Sequence, residues 1–149
     1  MSLEIVNYDD SLKDSLFLFT DRCFTEIGKA FEPDGRHGFY NNIPENFGLF
    51  LCLADDGNVM GSVGIKKLSD DTCELKALYL SDELRGKGWG YKLLDSAVAY
   101  ARSAGYKRIV LDSMSKYKDA RRLYDRYGFC ETERYNDNQY ADVFMEYFL

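Results

Sequence analysis

The 149-residue sequence predicts a single α/β domain, residues 1–149, built on a mixed, mostly antiparallel central sheet flanked by helices. Three observations carry that reading. Apolar runs between Gly48 and Leu80 are joined by turns too short for parallel crossovers. Apolar residues then recur every three or four positions over Leu93 to Ala101, and again over Tyr117 to Tyr127. Between these helical patterns lies a short strand-like run, Ile109 to Asp112, so one strand–helix–strand crossover completes the sheet.

Each element follows in order. Leu3 to Asn7 reads as a strand, and Asp10 or Ser11 can cap a helix whose apolar face is Leu12, Leu16, Phe19, Cys23 and Ile27. Phe31 to Phe47 holds both prolines, Pro33 and Pro44, with Gly35, Gly38, Asn41 and Asn42. It reads as a long loop containing about one helical turn, and loops of that length are often functional. Gly48 to Ala54 is continuously apolar, and Asp55-Asp56-Gly57-Asn58 turns it back into Val59 to Lys66. Ser69-Asp70-Asp71 leads into Thr72 to Leu80. A helix begins near Gly88 and ends at Gly105; another is stopped by Gly128. Phe129 to Tyr135 and Tyr140 to Phe148 are expected as a last hairpin around Asn136-Asp137-Asn138.

Composition removes several function classes. With 46% hydrophobic residues the chain can bury a core, and no apolar run reaches the roughly 18 to 20 residues of a membrane helix. The first residues lack a basic start followed by an apolar stretch, so no secretory signal is expected and a cytoplasmic location is. A net charge of −6 argues against nucleic acid as a partner. Cys23, Cys52, Cys73 and Cys130 show no paired spacing and His37 is the only histidine, so no metal site is expected. The same shortage argues against a Ser–His or Cys–His hydrolase. Charge is unevenly divided: Arg85 to Arg126 carries a net +7 and the remainder −13. Solvated helix faces produce such patterns, and so does a cleft that holds an anion on one wall.

The chemistry is concentrated where the strand ending at Leu80 runs into Ser81-Asp82-Glu83-Leu84-Arg85-Gly86-Lys87-Gly88-Trp89-Gly90 and a helix opens. Closely spaced glycines let backbone N–H groups converge, a helical first turn adds unpaired donors, and Arg85 and Lys87 add charge. Such a turn suits a pyrophosphate, although a purely structural turn has the same composition. A dinucleotide would require glycine at position 91, which is Tyr91, while Asp112 stands where a ribose-binding acid is expected. Only 37 residues follow Asp112, too few for a second nucleotide-binding half. Coenzyme A fits this arrangement better.

Arg85-Gly86-Lys87-Gly88-Trp89-Gly90 resembles the phosphate-binding signature of the GNAT superfamily of acyl-CoA-dependent N-acetyltransferases: Gln or Arg, two residues, Gly, one residue, Gly or Ala. The order of elements and the later Ala120, Leu123-Tyr124 and Gly128-Phe129 are similar to the family's second hallmark, with Tyr117 where the family has Asn. The resemblance implies that backbone groups of Leu78, Tyr79 and Leu80 pair with the pantetheine arm of acetyl-CoA. It also implies that the amides of Arg85, Gly86, Lys87, Gly88, Trp89 and Gly90, with Tyr91 at their edge, hold the pyrophosphate. Tyr124 falls where the family puts the tyrosine that meets the coenzyme sulfur. Glu74 falls where some members carry a general base. Its plain alternative is an exposed strand carboxylate paired with Lys76, and that of Tyr124 is a packed helix tyrosine.

The activity so implied is acetyl transfer from acetyl-CoA to an amine of a small molecule or peptide, by direct attack on the thioester. A noncatalytic CoA-binding regulatory module is one alternative, and a nucleotide-dependent oxidoreductase resting on Asp112 is another. Because Glu32, Asp34, Glu45, Asp137 and Asp142 neighbour in sequence the segments expected around the acceptor, the acceptor is expected to be cationic. Oligomeric state is not legible in the sequence.

Overall fold

The computed structural model describes residues 2–149; Met1, at the edge of the expected 1–149 domain, lies outside the described residues. Strand β1 (Leu3–Asn7) leads through a 3-10 turn (Asp10–Leu12) into α1 (Lys13–Glu26). The cap is Asp9, one residue before the expected pair: its carboxylate accepts the Ser11 N–H, because the chain tightens into the 3-10 turn before α1 begins. Gly38–Asn42 forms a second 3-10 turn and Ile43–Asn46 a one-turn helix, α2, inside the long loop.

Strands β2 (Leu49–Asp55), β3 (Asn58–Lys67) and β4 (Thr72–Leu80) form the antiparallel meander. A 3-10 turn (Asp82–Leu84) precedes α3 (Trp89–Ser103), followed by β5 (Arg108–Ser113), α4 (Lys118–Tyr127), β6 (Cys130–Glu131) and β7 (Val143–Phe148). The seven-stranded sheet has the order β1-β2-β3-β4-β5-β7-β6, and β4–β5 is its parallel pair.

Alternation along β2 shows how the sheet is covered. Leu51 and Leu53 join one apolar cluster, with Leu93, Leu94, Ala97 and Val98 of α3. Phe50 and Cys52 point the other way, into a cluster with Leu16, Phe19 and Phe24 of α1. Both faces are covered, which is why β2 reads as a continuous apolar run. Leu93, Leu94 and Val98 are fully buried, so truncating either leucine to alanine costs about 2–5 kcal/mol. On the α1 face a Cβ at Gly64 would sit 2.8 Å from the Phe47 ring; glycine there lets the end of the long loop dock on β3.

The last hairpin departs from expectation. Its first strand is only Cys130–Glu131, and the chain leaves the ladder after the Thr132 N–H bonds the Phe144 carbonyl. The Arg134 guanidinium gathers the carbonyls of Asn138 and Ala141 at 2.9 and 3.2 Å, and this local tie replaces strand pairing. Residues 132–142 therefore form a strap that reaches back towards β4 and β5.

Candidate active site

The site begins with a break in the sheet. Strand β4 pairs with β5 only at Thr72, Cys73 and Glu74. Beyond this, the register against β3 slips: Gly64 faces Lys76, whereas Ser62 faces Tyr79. The extra residue is accommodated at Ala77, which adopts φ 59°, and Ser62 Oγ–H donates to the Ala77 carbonyl at 2.7 Å. The bulge swings the end of β4 away from β5. Tyr79 and Leu80 keep their β3 partners on one side, and Leu78, Tyr79 and Leu80 have no ladder partner on β5. An extended arm could add there as a strand.

The turn after β4 supplies the second part. Gly86 and Gly88 have φ of 76° and 87°, a region closed to most side chains, and Gly88 caps α3. Among the described residues, the N–H groups from Gly86 to Tyr91 have no protein acceptor. They form a row of free donors at the positive end of a fifteen-residue helix, which fits the diphosphate of coenzyme A. Side-chain charge contributes less than the sequence suggests. The Arg85 guanidinium lies 3.4 Å from Asp82 and 3.3 Å from Asp119, so it ties the turn to α4. Lys87 forms no ion pair. Trp89 lies under the Lys92 ammonium at 4.4 Å, and the Tyr91 ring packs on Tyr127 at 5.1 Å.

Two of the expected catalytic side chains lie beside the break. Glu74 is 5% exposed, not the open strand carboxylate of the plain alternative. Its Oε2 accepts the Tyr135 phenol at 2.5 Å, and its Oε1 lies 3.7 Å from the Lys76 ammonium. Tyr124, on the inner face of α4, is buried, with its ring 5.9 Å from that of Phe129. Burial first, then the Asp112 carboxylate, holds its phenol well above the usual tyrosine value. Among the described residues no protein group pairs with that hydroxyl. Asp112 also acts on Tyr135, whose phenol is raised by burial and by Glu74. Glu74, Tyr135, Asp112 and Tyr124 are thus neighbours beside the break.

Three expectations are corrected here. Asp112 is not a free ribose ligand: its Oδ2 accepts from the Asn136 amide at 2.7 Å and the Asn138 amide at 3.2 Å. Tyr135, expected within the first strand of the last hairpin, lies outside it and bonds Glu74; nothing in the local pattern of residues 129–135 marked this contact. The carboxylates expected around the acceptor are also bonded locally or open to solvent. Asp142 is taken by the Ser115 N–H and hydroxyl, while Glu32, Asp34, Glu45 and Asp137 are exposed. The charged side chains gathered on that side of Glu74 are Lys29, Arg36 and Lys76. Proximity along the loop misled, because its aromatic residues turn inward and its carboxylates outward.

Comparison with known proteins agrees with this geometry. "Uncharacterized N-acetyltransferase C1271.07c" of Schizosaccharomyces pombe is 34% identical over 98 residues, 64% of this chain and 60% of that one. "Uncharacterized N-acetyltransferase YjgM" of Escherichia coli is 39% identical over 77 residues, 50% of this chain and 46% of that one. The alignments thus span about half to three-fifths of these relatives. The fold matches the crystal structure of an acetyltransferase of the GNAT family from Staphylococcus aureus Mu50, with a TM-score of 0.90, 22% identity and 99% of both chains covered. The sequence profile of the acetyltransferase (GNAT) family matches residues 14–129, well over half of the sequence, and the chain belongs to that family.

Proposed function

We propose that this chain transfers an acetyl group from acetyl-CoA to an amine by direct attack of the amine on the thioester. The observation that carries the proposal is the bulge at Ala77, which opens β4 from β5 next to the free amides of residues 86–91. A strand edge for the pantetheine arm and a donor row for the diphosphate then lie on one connected segment. Acetyl-CoA supplies an activated acyl carbon and a thiolate leaving group.

The protein's own groups have four tasks. Leu78, Tyr79 and Leu80 align the arm through their backbone, and the amides of residues 86–91 fix its charged end, the Arg85 amide being held by the Asp82 carbonyl. Glu74 accepts the amine's proton, directly or through a water, since most amines are protonated at neutral pH and must lose that proton to attack. The Tyr135 phenol, donating to Oε2, fixes the carboxylate and leaves Oε1 to receive the proton. Tyr124 donates its phenolic proton to the departing sulfur. Its free hydroxyl and raised pKa suit a donor that stays protonated through the working range.

The test couples binding to turnover. Calorimetry should show one CoA per chain and no comparable NAD binding, and thiol release from acetyl-CoA should depend on an added amine. CoA binding without amine-dependent thiol release across a broad amine panel would instead mark a regulatory CoA-binding module. NAD binding in preference to CoA would overturn the reading altogether.

A further inference from the structure

On the α1 side of Glu74, three cations are assembled over a bed of aromatic rings. Phe24, at the heart of the bed, packs on Tyr79 of β4 at 5.1 Å and on His37 at 5.1 Å. The Lys29 ammonium sits over the Phe24 ring at 4.3 Å, and Lys76 lies 5.4 Å from the Phe39 ring. Phe39 also faces His37, at 6.5 Å. The Arg36 guanidinium, one residue before His37, covers Tyr140 of the strap at 3.9 Å. One loop and a strand thus deliver positive charge to one place, and Lys76 joins it to the candidate base through Glu74 Oε1.

Among the described residues, two of these cations lack a salt-bridge partner: Lys29 and Arg36 form no ion pair, and Lys76 forms one, with Glu74 at 3.7 Å. The Asp112 carboxylate, which also accepts from two amides, offsets part of the repulsion at Lys29. Aromatic faces attract cations but carry no compensating charge. Burial, followed by repulsion from Arg36, Lys76 and Lys116 and partly relieved by Asp112, lowers the Lys29 ammonium below the ordinary lysine value. His37 adds no counter-charge: its Nδ1 accepts the Glu32 N–H at 2.9 Å, its Nε2 has no partner, and it is held neutral. A protein keeps unpaired like charges together at a cost, and an anionic ligand would relieve it.

We infer that Lys29, Arg36 and Lys76 receive a carboxylate carried by the acceptor, so that the amine acetylated belongs to an amino acid or similar carboxylated amine and not to a polyamine. The inference rests on the acetyltransferase reading above and names its substrate class. It has a chemical advantage for the transfer itself. A positive surround lowers the pKa of a nearby ammonium, so the acceptor nitrogen gives up its proton to Glu74 more readily. A di- or tri-cationic amine would be repelled from the same place.

The test compares the L-amino acids with their carboxamides, and with putrescine and spermidine, under saturating acetyl-CoA. The expected result is a kcat/KM for the best amino acid at least 10-fold above its own amide, with the polyamines below both. Arg36→Glu should erase or reverse that preference while leaving the KM for acetyl-CoA unchanged, and Lys29→Gln should raise the amino-acid KM about 10-fold. Equal turnover of acid and amide, a polyamine as best acceptor, or a preference that survives both variants would overturn the carboxylate site and leave acetyl transfer standing. Should no amine be acetylated, calorimetry of N-acetylated amino acids with the CoA-bound protein decides the site separately. Binding of the acids and not their amides, lost in Arg36→Glu, supports the site; equal binding or none refutes it.

Discussion

The Tyr135 phenol donates to Glu74 Oε2 across 2.5 Å, although the residues are 61 positions apart. This bond fastens the 132–142 strap over the last residue of β4 that pairs with β5, where the sheet begins to open. It gives the Glu74 carboxylate a fixed orientation in a nearly closed setting, and Lys76 balances its charge from the other side. Glu74→Gln should retain the fold, since the amide oxygen can still accept from Tyr135. It should lower kcat by about 100- to 10,000-fold and abolish the acidic limb of the rate profile. Tyr135→Phe should cost about 1–3 kcal/mol of stability and lower kcat less, because the base remains but loses its anchor. Urea unfolding with kcat–pH profiles on both variants checks this; an unaltered profile in Glu74→Gln would move the base elsewhere.

Tyr124 separates a chemical role from a packing role. Its hydroxyl has no protein partner, so Tyr124→Phe removes no hydrogen bond and should leave the thermal midpoint nearly unchanged. Turnover should fall about 10- to 1000-fold with little change in the KM for acetyl-CoA. The raised pKa sets the pH behaviour. The protonated donor persists through the ordinary tyrosine value of 10.0, so Tyr124 should impose no loss of activity below that pH. An alkaline limb below pH 10 that vanishes in Tyr124→Phe would contradict the assignment.

The donor row is tested by two glycines two residues apart, Gly88 and Gly90. Gly88 holds φ 87°, so alanine there costs about 1–2 kcal/mol or forces the peptide to rotate, which turns N–H groups out of the row. Gly90 lies within α3, and a Cβ there would meet only the Leu123 Cδ2 at 3.4 Å. Gly88→Ala should weaken CoA binding at least 10-fold; Gly90→Ala should change it less than 3-fold and leave the fold intact. Calorimetry with CoA on both proteins reads the difference, and similar affinities would remove the row from the site.

Much of this was legible because it is local. The turn residues 55–58, the spacing of Leu93, Leu94, Ala97 and Val98, and Gly86 and Gly88 before a helix each state a backbone requirement in a few adjacent positions. The Ala77 bulge was not legible: alanine with positive φ leaves no compositional mark, and its support, Ser62, comes from the neighbouring strand. Tyr135 was missed for the same kind of reason, since its partner is brought to it by the strap. The sign of charge around the acceptor also came out differently. Summing charge over a sequence segment ignores which side chains turn inward, and in the 31–47 loop those are aromatic rings, of which Phe39 faces the Lys76 ammonium.

His37 links the acceptor side to stability. The residue is 5% exposed, and burial, reinforced by Lys29, Arg36 and Lys76, pulls its pKa down to about 4 from a usual 6.5. Between those two values the unfolded chain binds a proton that the folded chain refuses, so stability rises with pH across that window. The contribution is complete above pH 6.5 and is lost as pH falls towards 4, amounting to about 1–3 kcal/mol. Among the described residues, the one polar tie of the ring is the Glu32 N–H on Nδ1, which an asparagine oxygen can also accept. His37→Asn should therefore flatten the stability curve between pH 4 and 6.5 while retaining the fold at pH 7. Urea midpoints at half-unit pH steps for both proteins measure it. If the wild-type midpoint does not fall on acidification, or falls by the same amount in His37→Asn, the imidazole is not held neutral by its surroundings.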